Sequence, residues 1–481
     1  MTNTPRNTEA LWTAIDATAA TSGRARGGIW NATGVSIDSR SVSQGDLFVA
    51  LVGPTHDAHD HLTQALENGA AAAVVSTVPA RLADTAPLLI VDDTTAALEA
   101  LGRAARNRSP ARVVAITGSV GKTGTKELTA AALAATGPTT ATIGNLNNHF
   151  GVPLSLARLP ASAVFAVLEA GMSAPGEIAT LARQIRPHVA VVTTVEAVHT
   201  EFFDSLEGVA DAKGEIFQGL EPNGTAIINR DNRFFYRLVA LAEETGAGKI
   251  ISFGTCQKAD VRLLDCVPDA AGSALTVSLH GTEMTYRLKL NGQHWALNSL
   301  AALAAATAAG ADPTRAIEGL AAVAPMKGRG EQLRVAFADG HLDLIDETYN
   351  ASPASVSAAL QALGTCTPGA GGRRIAVLGD MLELGPEADR WHADLAADAD
   401  AASIDLVCTA GPLMAHLHVA LPTSRRGIHA QCAEKLIAPL LDILTPGDVV
   451  LIKGSLGSRM RQIIEALTHS PTTGVRAVNG E

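Results

Sequence analysis

Residues 112–127 read RVVAITGSVGKTGTKE, which is an apolar, β-branched run followed by a glycine turn and a helix-forming stretch. The first six residues are typical of a strand covered on both faces. Gly118 and Gly121 allow the backbone N–H groups of the turn to point inward at an anion. Lys122 and Thr123 then stand where a phosphate-binding loop carries its cation and its metal-binding hydroxyl. Together with the helix N-terminus, these residues predict a site for a nucleoside triphosphate.

The match to the eight-position phosphate-loop pattern is partial, because Ile116 stands where that pattern has its first glycine. An ordinary glycine-rich turn between a strand and a helix is the alternative, and the Gly-Lys-Thr triplet in this context argues against it. The residues expected to contact the nucleotide are those of the loop: Thr117, Gly118, Ser119, Val120, Gly121, Lys122 and Thr123.

The composition is that of an ordinary globular protein. The chain has 481 residues, 47% of them hydrophobic and 18% charged, which excludes a disordered chain and predicts several domains. A net charge of −11 argues against nucleic-acid binding, which needs a basic surface. Five scattered cysteines predict reduced thiols and no zinc knuckle. With no signal-peptide pattern and no apolar run of bilayer length, we expect a cytoplasmic protein without membrane insertion.

The order of apolar runs and helical stretches predicts three α/β domains. Residues 1–107 predict a smaller N-terminal α/β domain that ends at a linker. Residues 108–325 alternate strand and helix, which predicts a mostly parallel sheet with helices on both faces. Within this part, the alternating pattern of residues 260–291 predicts an antiparallel flap at the sheet edge. Residues 326–481 begin with a hairpin that turns at Asp339-Gly340 and then predict a Rossmann-like third domain.

Polar side chains follow two strands of the central domain. Glu169 ends the run AVFAVLE, and His199 follows the run HVAVVTTV by a few residues. Because ligands of open α/β sheets lie outside the carboxyl ends of the strands, we expect both to face Lys122 and Thr123. A carboxylate in that place would ligate Mg²⁺. The alternatives are a solvated strand end for Glu169 and an ordinary loop histidine for His199.

Other segments carry groups that suit a polar ligand. Residues 144–153, GNLNNHFGVP, hold three asparagines whose amides could meet a base or a sugar, although Asn and Gly also favour turns. In IDETYNASPAS, Asp346 ends a strand, and Tyr349 and Asn350 lie in the loop that follows. Lys213, in GVADAKGEIFQGL, falls on a predicted helix and from the residues alone reads as a surface lysine.

Taken together, these segments resemble one family, the Mur ligases, in the order in which they occur over nearly the whole chain. The segments are GSVGKTGTKE, GNLNNHFGVPLSL, LEAGMSAPGEI, AVHTEFF, GVADAKGEIFQGL, GQHWALNSLAALAA, KGRGEQ, DETYNASPASV, LGDMLELG and KGS, preceded by IDSRSVSQGDLFVAL in the first domain. The Asp-Asn-Pro-Arg motif of the diaminopimelate-adding ligases and the Asp-Gly-Ala-His-Asn-Pro motif of folylpolyglutamate synthases do not occur. TYNAS with NLNN upstream is similar to the branch that adds D-alanyl-D-alanine.

The resemblance implies an ATP-dependent ligase that forms an amide bond in peptidoglycan precursor synthesis. Its substrates would be UDP-N-acetylmuramoyl-tripeptide and D-alanyl-D-alanine, joined through an acyl phosphate, with ATP and Mg²⁺ required and the enzyme acting as a monomer. Another amino-acid-adding Mur ligase is the closest alternative. From other classes, a P-loop ATPase or kinase and a nucleotide-binding module without catalysis also stay open.

The resemblance also implies roles for individual residues. The catalytic residues would be Lys122, Glu169, His199 and Lys213. The metal ligands would be Thr123, Glu169, His199 and Lys213, the last carrying CO₂ as a carbamate. Further contacts to ATP would come from Asn145, Asn148, Asn298, Arg329 and Asp346. The uridine nucleotide would lie around Asp38, Ser39 and Arg40, and the dipeptide around Tyr349, Asn350 and Lys453.

Two segments depart from the family pattern. AGMSAPGE follows Glu169 where close relatives often have Asn-His, which leaves the contacts there open. HWALN replaces the commoner His-Asn-x-x-Asn, so that Trp295 takes one amide position and Asn298 supplies the amide that is left.

Overall fold

Three main sheets follow one another along the chain, each in its own α/β domain, as predicted. The computed structural model describes residues 10–53, 55–80, 82–196, 203, 205–269, 271–469 and 475–476.

The first domain contains a five-stranded sheet and a two-stranded ribbon. Its strands are β1 (Trp12–Thr13), β2 (Arg24–Arg26), β3 (Asn31–Ala32), β4 (Gly34–Ser36), β5 (Asp46–Val49), β6 (Ala72–Val75) and β7 (Leu88–Ile90), and its helices are α1 (Ala14–Thr21), α2 (Leu62–Glu67) and α3 (Thr94–Arg108). The sheet order is β2-β7-β6-β5-β4, with β2 antiparallel, and β1 pairs with β3. All four residues of β6 are buried, as expected for a strand covered on both faces.

Buried polar contacts fasten the first domain to the central one. Trp12 donates its indole N–H to the carbonyl of Ala157 at 2.9 Å, and Arg158 Nε donates to the carbonyl of Val35 at 2.7 Å. The predicted linker begins at residue 107, but α3 continues through Arg108. The predicted domain bounds therefore stay a prediction.

The central domain is built on a nine-stranded sheet of order β16-β15-β14-β13-β12-β11-β8-β10-β9. Its strands are β8 (Arg112–Thr117), β9 (Thr139–Ala141), β10 (Phe165–Glu169), β11 (Val189–Val192), β12 (Thr225–Asn229), β13 (Lys249–Gly254), β14 (Val261–Asp269), β15 (Gly272–Leu279) and β16 (Thr282–Leu288). Its helices are α4 (Lys122–Ala134), α5 (Gly151–Ala157), α6 (Glu177–Ile185), α7 (Leu206–Gly214), α8 (Phe235–Glu244), α9 (Gln293–Ala308) and α10 (Pro313–Ala322). Strands β8 to β13 are parallel, and β14, β15 and β16 form the predicted antiparallel flap.

The third domain has a seven-stranded sheet of order β21-β20-β19-β22-β18-β17-β23. Its strands are β17 (Glu331–Phe337), β18 (Gly340–Glu347), β19 (Arg374–Gly379), β20 (Leu406–Ala410), β21 (Arg426–Ala430), β22 (Val449–Lys453) and β23 (Val475–Arg476). Its helices are α11 (Pro353–Gly364), α12 (Ala388–Ala401), α13 (Met414–Ala420), α14 (Ala433–Ile443) and α15 (Arg461–His469). The predicted hairpin is confirmed, because Phe337 pairs with Gly340 across the turn. The parallel part with helices between its strands confirms the Rossmann-like prediction.

We predict that the buried carboxylate of Asp448 stabilises the third domain. It accepts hydrogen bonds from the backbone N–H and the guanidinium of Arg373 and from the N–H of Thr445. Leaving the buried donors of such a carboxylate without their acceptor typically costs about 1–3 kcal/mol. Asp448→Ala should therefore lower the urea midpoint strongly, and the control Asp442→Ala, an exposed helix position, should not. Equal midpoints for the two variants would contradict this.

Candidate active site

A cavity of about 1310 Å³ lies between the central and third domains. The central domain contributes the carboxyl ends of its parallel strands, and the third domain contributes the loop after β18. The predicted site residues that line it are Ser119, Val120, Gly121, Lys122, Thr123, Asn145, Asn148, Glu169, Lys213, Asn298, Arg329, Tyr349, Asn350 and Lys453. Most of the predicted residues are thus brought together from distant parts of the chain.

The glycine turn that precedes α4 forms one wall of the cavity. Gly118 has φ +149° and Gly121 has φ +86°, conformations that side chains rarely adopt. A Cβ on Gly118 would overlap the hydroxyl of Thr193, and one on Gly121 would lie 2.6 Å from Asn298 Oδ1. Glycine is required at both positions for these two reasons.

Lys122 begins α4 and lies over the turn. Its Nζ donates to the carbonyl of Gly118 at 2.6 Å and to that of Ser119 at 3.2 Å. Burial lowers the pKa of this ammonium, the nearby carboxylate of Glu169 opposes that effect, and Arg329 adds to it. A cation in this place is suited to neutralise the outer phosphates of a nucleotide on the turn.

Glu169 is buried at the end of β10, and its carboxylate is held on both sides. Thr123 Oγ1 donates to Glu169 Oε2 at 2.9 Å, and Asn147 Nδ2 donates to Glu169 Oε1 at 2.8 Å. Adjacent ligands of an octahedral Mg²⁺ with bonds of about 2.1 Å lie about 3.0 Å apart. The Thr123 hydroxyl and the Glu169 carboxylate therefore fit a shared magnesium ion.

Lys213 is buried, so its interpretation from the residues alone as a surface lysine is wrong. It lies on α7, as predicted, but only 2% of it is exposed, and it borders the cavity. Burial, with a contribution from the nearby Lys122, lowers its pKa well below the usual range, and no described carboxylate pairs with it. The signal was present in the sequence, because Lys213 stands four residues after the apolar Val209 on the same helix face.

The three asparagines of residues 144–153, the asparagine loop, make different contacts, and the sequence does not reveal which residue makes which contact. Asn145 borders the cavity, and its contact with ATP stays a prediction. Asn148 also borders it, but its side-chain oxygen accepts the backbone N–H groups of Phe150 and Gly151 at the start of α5. Asn147, which sequence reasoning missed, is the residue that contacts Glu169.

The third domain brings paired cations to the opposite wall. The guanidinium of Arg329 lies 3.8 Å from the ring centre of Tyr349. Lys453 is buried and donates to Glu347 Oε2 at 3.2 Å and to the carbonyl of Asn350 at 2.9 Å. Glu347, a residue that sequence reasoning missed, thus balances the charge of a predicted dipeptide-binding lysine.

Some predicted residues do not line the cavity. Asp346 is fully buried and accepts hydrogen bonds from the backbone of Gly328 and from Thr348, so its contact with ATP stays a prediction. Thr117 and Gly118 are buried and do not line the cavity themselves. His199 lies outside the described residues. Among the described residues, no group of three or more His, Cys, Asp and Glu side chains is placed to hold a metal.

The predicted uridine site in the first domain is also separate from the cavity. Asp38 and Arg40 form an ion pair at 2.7 Å, which lowers the pKa of the Asp38 carboxyl to about 2. Ser39 donates to Gln64 Oε1 at 3.1 Å. The binding of a nucleotide by these three residues stays a prediction.

Family comparisons match all three parts of the chain. The family models described as Mur ligase family, catalytic domain; Mur ligase middle domain; and Mur ligase, glutamate ligase domain match residues 31–132, 116–306 and 328–456. The UDP-N-acetylmuramoyl-tripeptide–D-alanyl-D-alanine ligase of Escherichia coli K12 is 38% identical over 91% of this chain and 94% of its own length. The chain belongs to the Mur ligase family. The enzyme of the same name from Bacillus subtilis 168 is 34% identical to this Mur ligase over 91% of the chain and 93% of its own length.

Solved structures agree with this assignment. MurF from Acinetobacter baumannii superimposes on this Mur ligase with a TM-score of 0.83 and 29% identity, covering 95% of this chain and 99% of that one. MurF from Thermotoga maritima in complex with ADP gives a TM-score of 0.74 and 26% identity, covering 90% and 96%. None of the described helices is both long and apolar enough to cross a membrane.

We predict that Lys122→Ala will be inactive but folded, because the lysine contacts the phosphate loop and lies in no core. Charge stabilisation of this kind is commonly worth about 3 kcal/mol or more in the transition state. ADP release should therefore fall at least about 100-fold, with an unchanged circular dichroism spectrum. A folded variant with full activity would contradict the assignment of nucleotide binding to this loop. Lys258→Ala, far along the sequence in the turn before β14, serves as the control.

Proposed function

We propose that this Mur ligase joins D-alanyl-D-alanine to UDP-N-acetylmuramoyl-tripeptide and converts ATP to ADP and phosphate. The observation that carries the proposal is the shared cavity, in which the phosphate loop faces the third domain. A single site of this kind allows a carboxylate activated at the loop to meet an amine held by the opposite wall. The curated relatives that match over nine tenths of the chain carry the name of this reaction.

The chemistry proceeds in two transfers. The terminal carboxylate of the tripeptide attacks the γ-phosphorus of ATP, the bond to the β-phosphate oxygen breaks, and an acyl phosphate and ADP form. The amine of the dipeptide then attacks the acyl carbon, the C–O bond to phosphate breaks, and the amine loses its proton as the amide forms. Lys122 neutralises charge on the phosphoryl group during the first transfer, and closure of the third domain over the cavity would keep water from the acyl phosphate.

The metal site would be formed by this chain's own oxygen atoms. Thr123 and Glu169 supply a hydroxyl and a carboxylate 2.9 Å apart, and Asn147 fixes the carboxylate from its other side. When bound, Mg²⁺ would supply a Lewis acid that offsets the charge developing on the phosphates. The proposed part of His199 in this ligand set rests on the family resemblance.

Lys213 would complete the site as a carbamate. A lysine ammonium has no acceptor and cannot ligate a metal, but a neutral amine adds CO₂ and releases one proton to give a carbamate, whose two oxygens share one negative charge. The lowered pKa of Lys213 favours the neutral amine that this addition needs. Its burial beside Lys122, without a described carboxylate partner, supports this modification.

Substrate binding at the two ends would follow the domains. Asp38, Ser39 and Arg40 would hold the uridine nucleotide, and Tyr349, Asn350 and Lys453 would receive the dipeptide. We further propose a monomer in the cytoplasm, which suits nucleotide-linked precursors and the scattered, unpaired cysteines.

ADP release tests the proposed function directly. We expect ADP from the full-length protein with Mg·ATP only when the tripeptide substrate and D-alanyl-D-alanine are both present. Single amino acids should replace the dipeptide poorly. ADP release without any amine, or phosphate transfer to a hydroxyl, would instead indicate an ATPase or a kinase. Activity with one amino acid and not with the dipeptide would indicate a different Mur ligase.

Lys213 gives a second test. Lys213→Ala should lose at least about 100-fold in turnover, because a ligand of the metal is missing. Short-chain carboxylic acids should restore part of the activity by supplying the missing oxygens, and Lys213→Glu should restore less, since its side chain is shorter than a carbamate.

A control variant and a spectroscopic measurement test whether the loss in Lys213→Ala comes from a missing carbamate. Lys249→Ala removes an exposed lysine of β13 and should leave turnover unchanged. A ¹³C NMR signal from the wild-type protein in labelled bicarbonate, absent in Lys213→Ala, would identify the carbamate. Unimpaired turnover of Lys213→Ala would exclude an essential role for this lysine.

A further inference from the structure

A buried lysine with no part in the chemistry above follows the phosphate loop by one turn of α4. Lys126 has no exposed surface, although burying an ammonium is costly unless it is well paired. Its Nζ donates to the carbonyl of Thr142 at 2.7 Å and to that of Gly144 at 3.3 Å. Glu127, which is partly exposed, lies 2.8 Å away and balances the charge.

Both carbonyl groups belong to the loop that holds Glu169. Thr142 Oγ1 accepts the backbone N–H of Glu169 at 3.2 Å. Further along the same loop, Asn147 donates its amide to Glu169 Oε1, and its carbonyl accepts the N–H of Gly171 at 2.8 Å. The loop that Lys126 holds therefore contacts both the backbone N–H and the carboxylate of Glu169, while the pairing of β10 with β8 places its backbone.

The loop needs an anchor of this kind because little else holds its middle. Ile143, Gly144 and Asn145 are exposed and lie between β9 and α5, in neither a helix nor a strand. Gly144 also has φ +60°, which a regular strand could not continue through. The hydrogen bond from Lys126 to Gly144 ties this exposed stretch to α4, and the shorter one to Thr142 holds the buried residue just before it. Charge-assisted bonds of this type are about twice as strong as neutral ones.

We propose that Lys126 is a positioning residue that fixes the Glu169 carboxylate against Thr123. One helix then supplies the Thr123 hydroxyl and, three residues later, the cation that orients the second oxygen ligand. The inference rests on the magnesium–nucleotide site of the proposed function, but it does not depend on which substrates are joined.

Nucleotide binding with and without metal tests this role without measuring turnover. The dissociation constant for ADP is determined by calorimetry on the full-length protein, once with Mg²⁺ and once with EDTA. Outer contacts to metal ligands typically contribute about 10–100-fold to metal affinity. Lys126→Met, which keeps the length of the side chain, should lower the Mg²⁺-dependent gain in ADP affinity about 10-fold or more. Its affinity in EDTA should stay close to that of the wild type.

A buried arginine provides a matched control. Arg106 likewise donates to two backbone carbonyls, those of Ile185 and Arg186, at 2.9 and 2.7 Å, and it does not line the cavity. Arg106→Met should lower the melting temperature, as Lys126→Met does, but leave the Mg²⁺-dependent gain unchanged. An equal loss in both variants would assign Lys126 a purely structural part and overturn the proposal.

Asn147→Ala keeps the test decisive if Lys126→Met does not fold. It removes the link between the loop and Glu169 without disturbing a buried position, so the Mg²⁺-dependent gain should fall in the same way. If Lys126→Met folds, the double variant should lose no more than the larger single loss, because both residues act on one carboxylate. Unchanged gain in Asn147→Ala, or additive losses, would overturn the proposal. A wild-type protein with the full Mg²⁺ effect and no ligase activity would count against the proposed function alone.

Discussion

The hydrogen bond between Thr123 and Glu169 is the contact on which the site depends. It exists because β10 lies parallel to β8, with Glu169 level with Ile116, so that the end of one strand meets the turn after the other. The two oxygens come from segments 46 residues apart in the chain. The distance between these two oxygens therefore depends on the correct placement of the sheet, the turn and the asparagine loop together.

The electrostatics of the cavity follow from two neighbouring lysines, the partly buried Lys122 and the buried Lys213. Lys122 and Lys213 both lose hydration, and each ammonium would raise the free energy of the other, which is why the pKa of Lys213 falls so far. Glu169 offsets part of the charge near Lys122. A polyphosphate would satisfy Lys122, whereas burial favours the neutral amine of Lys213, which is the form that the proposed carbamate needs.

Local patterns predicted the phosphate loop, the end of β10 and the three α/β domains, since each depends on a few neighbouring residues. The choice between Asn147 and Asn148 could not be predicted, because the backbone of the loop decides which amide faces Glu169. Lys126 was hidden for a related reason. Helix periodicity shows that a position is buried, but it does not show that two carbonyl groups of another segment lie within hydrogen-bond distance of it.

The third domain reaches the cavity as part of a well-fixed unit. Asp346 accepts the N–H of Gly328 through its carboxylate and that of Gly330 through its carbonyl, and Gly328 in turn accepts the N–H of Tyr349. Arg329, between the two glycines, is thereby held over the Tyr349 ring.

Just before this unit in the chain, Met326 packs against the core of the central domain. The exposed Lys327 is then the residue between the two anchored parts, and Gly328, with φ +77°, follows it. Arg329 donates its backbone N–H to the carbonyl of Met326 at 2.9 Å across this position. A rotation of the third domain that closes the cavity would therefore have to rearrange this turn around Lys327.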